Sequence, residues 1–128
     1  MNKLLVLSIL LVFISGLSEG FNQAYLFHFS EVKKVFAHIV PNDEAWTLKY
    51  KNGDPKQGAK FFGSTTFLVW TTDPYHFTRM VTRVTFMLAF LLVGINRKFR
   101  DWLKLLGICV TLYLIWMASF HLIYTLIF

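Results

Sequence analysis

Three apolar stretches, each long enough to cross a bilayer as a single helix, constrain this chain more than any other feature of it. They cover about residues 4–29, 74–95 and 102–128. At ~1.5 Å of rise per residue, even the shortest makes roughly 33 Å of helix, against a hydrocarbon core of about 30 Å. Lipid offers no water to backbone amides, so spanning segments of this kind bond internally as helices. The expected fold is an all-α polytopic membrane protein, one domain over residues 1–128, with three transmembrane helices. Composition supports this: charged residues make up 16 % of the chain, whereas a soluble domain carries about a quarter. The net charge of +6 lies largely beside the apolar runs. Topology and anionic headgroups explain such placement better than nucleic acid does. The single cysteine, Cys109, excludes an intrachain disulfide and a CxxC metal site.

The first stretch admits two readings. Lys3 followed by an apolar core over residues 4–14, with Ser18 and Gly20 before Phe21, has the form of a cleavable leader. Apolar character resumes beyond Gly20, however, and residues 4–29 would make about 39 Å of helix. Ser15, Ser18, Glu19, Asn22 and Gln23 then fall on one face. A retained helix has a use for such a face, because a carboxylate in lipid is costly unless it is turned into a bundle. Retention is therefore the expectation. Ser8, Ser15 and Ser18 read as helix-packing residues.

Residues 30–60 are expected outside the membrane. Ser30 is placed to cap a short amphipathic helix carrying Val32, Val35, Phe36 and Ile39 on one face, with Pro41 as its stop. Asn52-Gly53, Asp54-Pro55 and Gly58 mark turns in a polar loop, and Trp46 and Tyr50 suit an interfacial belt. Residues 61–73 are apolar at first but too short to span. They form an interfacial or re-entrant piece, or a continuation of the second helix across a kink. Asp73 directly before Pro74 is a helix start, the carboxylate accepting orphan amide hydrogens.

The polar residues of the spans are the candidate site. His76, Arg79 and Arg83 share one face, with Asp73 a turn earlier. Arg83 lies about 18 Å from the Ile95 end, and Glu19 about 22 Å from Leu4. The similar depths predict that Glu19 pairs with Arg83 or Arg79 between helices. The alternative is that both arginines snorkel to headgroups. His121 falls at the same end of the third span, with Tyr124 and Thr125 on its face. Glu19, Asn22, Asp73, His76, Arg79, Arg83 and His121 thus form an expected intramembrane polar cluster. Carboxylates with imidazoles make Asp73, His76 and His121 weak candidates for a divalent metal, but HExxH and comparable spacings are missing. No cofactor is expected. The residues around 97–104 (Arg97, Lys98, Arg100, Lys104) form a basic turn, so the positive-inside rule puts it and Lys3 in the cytoplasm and the C-terminus outside.

The run WTLKYKNGDPKQGAKFFGSTTFLVWTTDPYHFTRM resembles a group of small uncharacterised bacterial integral membrane proteins. In that group a segment of the form SWKNKYKNGDPxxGxKFxGSSTFLVxxTDxxH precedes the main membrane helix, and a helix with polar residues, like Ser18-Glu19-Gly20-Phe21-Asn22 here, comes before it. The resemblance covers residues 16–79 and is most specific over 49–76. It departs at Thr47-Leu48 and at Asp73-Pro74, where glycine or alanine more often follows the aspartate. It implies a bacterial inner-membrane protein in which Asp73, His76 and the Gly63-Ser64-Thr65-Thr66 turn act as a unit, and it implies no activity.

The leading functional expectation is a non-enzymatic membrane component acting through helix packing or through a membrane-protein partner or a second copy, with the bilayer as its other contact. A membrane enzyme, metal-binding or ion-handling protein built on the Glu/Asp/His cluster is the alternative, and a phage-type lysis or exclusion factor a third.

Overall fold

Helix α1 spans Lys3–Phe27, α2 Phe29–Val35, α3 Pro74–Ile95 and α4 Trp102–Ile127 in a computed structural model that describes residues 3–40, 47–95 and 102–127. The Pro41 stop, Asp43, Glu44, Trp46 and the 97–101 turn lie outside the described residues. Helices α1, α3 and α4 are each long and apolar enough to cross a membrane. Among the described residues the fold is all-α, with three candidate spans and a short extra helix.

Helix α1 is the centre of the bundle, packed along both α3 and α4. Rising positions on α1 meet falling positions on α3: Ser15 Oγ donates to the Thr82 carbonyl at 3.0 Å, and the Thr78 hydroxyl donates to Asn22 Oδ1. Helices α1 and α3 are therefore antiparallel. Against α4 both sets of positions rise together, Gly16 facing Ser119 and Gly20 facing Ile123, so α1 and α4 are parallel. The three spans therefore run up, down and up.

Two apolar layers sit on either side of these polar contacts. One joins Val12 to Ala89, Val93 and Leu112. The other joins Ala24 and Tyr25 to Tyr75, Ile127, Val32 and Val40. The second layer changes the reading of residues 29–40. The helix begins at Phe29 with His28, not Ser30, as its cap residue, and ends at Val35. Ser30 Oγ donates instead to Glu31 Oε2 at 2.6 Å. That bond leads the causes that hold the exposed Glu31 carboxyl below its usual range. Val32 and Val40 are buried against the bundle end, and Phe36 meets Phe21 edge-on at 5.6 Å. Val32, Phe36 and Val40 thus cover the bundle end, while Val35 and Ile39 stay exposed, by 54 % and 63 %.

Residues 47–60 fold as a tight hairpin. Tyr50 and Ala59 form an isolated antiparallel bridge, with Lys51 N donating to Gly58 O at 3.1 Å and Lys60 N to Lys49 O at 3.0 Å. Asp54 Oδ1 accepts from Lys56 N at 2.9 Å, and Asn52 Nδ2 reaches Gln57 Oε1 at 3.0 Å. Gly58, at φ 79° and ψ −170°, occupies a region that glycine alone enters cheaply. Residues 61–73 do not continue α3. They run as turns with a 3₁₀ turn at Val69–Thr71 and fold back on α3, Trp70 lying 6.5 Å from Phe77 between ring centres. Ser64, fully buried, ties the segment to the hairpin: its hydroxyl donates to Lys49 O at 2.8 Å and accepts from Phe61 N at 3.3 Å.

Candidate functional site

The junction between the 61–73 segment and α3 is built outward from Asp73. Its Oδ1 accepts the His76 amide at 2.9 Å, closing the first turn of α3 ahead of Pro74, and its Oδ2 accepts from Thr72 Oγ1 and from His76 Nδ1, both at 2.6 Å. Burial pushes the carboxyl pKa up, but the bonds from the His76 ring, the Thr72 hydroxyl and the His76 amide outweigh it and hold the group below its ordinary range. Asp73 is thus a helix cap that also fixes the His76 ring. Both its oxygens are engaged, and the cap alone accounts for an aspartate at this position.

One turn further, Arg79 Nη1 donates to Tyr75 Oη at 2.7 Å, with its guanidinium 5.8 Å from the Tyr75 ring centre. Arg83, a turn beyond, makes no hydrogen bond among the described residues. Both arginines are exposed. With His76, Val69, Trp70, Met80 and Val84 they line a cleft of about 240 Å³ between the folded-back segment and the flank of α3. The expected pairing of Glu19 with Arg79 or Arg83 is not made. Glu19 Oε1 accepts instead from Gln23 Nε2 at 2.8 Å, one turn along its own helix. Glu19 and Arg79 have each found a partner on their own helix four residues away, which costs less side-chain ordering than a bond across the interface. Among the described residues the only contact of ion-pair type is Asp73–His76.

Glu19 and Arg79 do border one space. With Asn22, Gln23, Leu26 and Tyr75 they line a second, smaller cavity of about 90 Å³. Asn22 is 2 % exposed, and its Nδ2 has no acceptor among the described residues. A polar cavity of this size and lining is of the kind that holds ordered water.

His121 does not join the cluster. It lies exposed on α4, and α1 stands between α4 and α3. Tyr124, one turn along α4, meets His28, whose Nε2 lies 2.9 Å from the Tyr124 hydroxyl. Among the described residues no three His, Cys, Asp or Glu side chains are arranged to hold a metal ion. Asp73 and His76 stay together; Glu19 and Asn22 reach Arg79 across the smaller cavity; Arg83 faces the larger one.

Two elements of the arrangement were not anticipated from the sequence. One is His28. The other is the pair Gly16 and Gly20, where an added Cβ would collide with Ser119 Oγ and the Trp116 carbonyl, or with Ile123 and the Phe120 carbonyl. The signal for the glycines is present in the small residues Ser8, Gly16, Gly20 and Ala24, all on one four-residue ridge. No known protein family, curated protein or solved structure matches the chain.

Proposed function

We propose that this chain is a non-enzymatic component of the membrane that acts by binding an anionic group, its three-helix bundle serving as the scaffold for the cleft beside α3. One observation carries the reading. Two arginines stand exposed inside a membrane-length helix, at the edge of a cleft, with no carboxylate paired to either among the described residues. Cations at such depth need a counter-charge or an aqueous outlet. The enzymatic alternative has less support, since Asp73 and His76 already satisfy one another as a cap. Retention of α1 belongs to the same proposal, because without it the inner faces of α3 and α4 lose their cover. So does a bacterial inner-membrane location with Lys3 inside, supported by the basic residues Arg97, Lys98, Arg100 and Lys104. The test is the thermal midpoint of detergent-purified protein titrated with anions, soluble and lipidic, for the wild type beside Arg79→Gln/Arg83→Gln. A rise in the wild type that the double variant loses is expected. A flat response of the wild type to every anion sinks the proposal.

A further inference from the structure

We infer that the cleft of His76, Arg79 and Arg83 takes the phosphate of an anionic phospholipid from the leaflet that borders residues 47–73. This rests on the anion-binding reading above and names its ligand.

The lining is of two kinds. Arg79 and Arg83 supply the donors, His76 lines the polar side, and Val69, Trp70, Met80 and Val84 supply apolar wall. A guanidinium matches a phosphate's geometry through two parallel bonds, and two of them outweigh the single charge of a phosphodiester. Arg79 has spent one nitrogen on Tyr75, and Arg83 has bonded to nothing among the described residues, so donors remain on both. The acid closest in the chain, Asp73, is held by Thr72 and His76 and forms an ion pair with neither arginine.

Depth and direction fit a lipid better than a soluble anion. Arg79 and Arg83 lie about 7.5 and 13.5 Å along the axis from Pro74. Their long side chains reach back toward that end of the helix, where headgroups sit. Below them the same face of α3 continues as Val84, Met87 and Leu91, exposed by 44 %, 71 % and 58 %. An acyl chain descending from a phosphate held at the arginines would run over that strip toward the bilayer centre. A volume of about 240 Å³ admits a phosphate and part of its glycerol, not a whole lipid. The chains must therefore lie outside the cleft, along this face. A free phosphate would use the arginines and leave the strip without a role.

The experiment uses the full-length protein in phosphatidylcholine nanodiscs, with and without phosphatidylglycerol. Native mass spectrometry reads the lipid retained on release, and inorganic phosphate is titrated in a parallel arm. One phosphatidylglycerol per chain is expected to be retained in preference to phosphatidylcholine. Retention should fall about tenfold, equivalent to the loss of one good charge-assisted contact, in Arg79→Gln/Arg83→Gln. It should not change in Lys56→Gln/Lys60→Gln, which removes the same charge from the hairpin. Arg83→Gln alone breaks no bond made within the protein and stands in if the double variant does not fold. Inorganic phosphate displacing the lipid at millimolar concentration, or raising the thermal midpoint equally, would overturn the lipid assignment while leaving an anion site. Equal retention of phosphatidylcholine would overturn the requirement for an anionic lipid. Retention indifferent to the arginines, with no response to phosphate, would overturn both this inference and the function it rests on.

Discussion

Asp73 does two jobs with one carboxylate, and its chemistry sets what each substitution should do. Asp73→Ala removes the bond to the His76 amide and frees the His76 ring, a loss of about 1–2 kcal/mol by the usual worth of an N-cap. Asp73→Asn keeps an acceptor for the amide and should cost less. The pH dependence has a definite sign. Because the folded-state carboxyl titrates below its ordinary range, its contribution is complete above that range and is lost as pH falls through the depressed value. Thermal midpoints measured from neutral to acid should fall for the wild type, and the Asp73→Asn protein should lack that part of the fall. Identical pH curves for the two proteins would assign the acid sensitivity elsewhere. The cap was legible in the sequence because Asp-Pro acts within one helical turn. The partners of Glu19 and Arg79 were not, because each had several polar groups within reach of its depth, and helix rotation chose among them.

Helix α1 shows how one element serves two neighbours with two kinds of contact. Toward α3 it turns polar groups, Ser15 and Asn22, which bond to the carbonyl of Thr82 and the hydroxyl of Thr78. Toward α4 it turns small residues, and the backbones approach closely enough that Gly16 and Gly20 have no room for a Cβ. Lipid tails are as apolar as leucine, so packing of this closeness is a main source of helix association in a bilayer. Gly16→Val should therefore destabilise by about 1–3 kcal/mol or more through overpacking. Gly107→Ala, where nothing lies within 4 Å, should be neutral or gain up to ~1 kcal/mol from helix propensity. Unfolding of both in one detergent checks the contrast, and equal effects would deny the close α1–α4 contact. The polar face of α1 could be read from its spacing. The length of α2 could not: its apolar residues suited a helix running to Pro41, and burial of Val32 and Val40 on the bundle end bent the chain after Val35.

Across the molecule, the antiparallel α1–α3 and parallel α1–α4 pairs put Lys3 and the hairpin over residues 47–60 at opposite ends. In a Cys109→Ala background, cysteines placed at Lys3 and at Lys56 should react with an impermeant maleimide from opposite sides of the membrane, Lys3 from within. Labelling from one side would refute the up-down-up order. A mature protein that has lost the Lys3 cysteine would show α1 to be cleaved. Where the three spans begin and which face of α1 is polar follow from the sequence alone, because the cost of a bare amide or carboxylate in lipid acts locally and leaves one economical solution. Which groups then touch depends on the rotation and register of the three helices. Those are set by the sum of many small contacts, from the glycine seam to the two apolar layers, and no single spacing encodes them. That sum left Arg79 and Arg83 facing out beside Trp70, and so made a cleft where the spacing had suggested a pair.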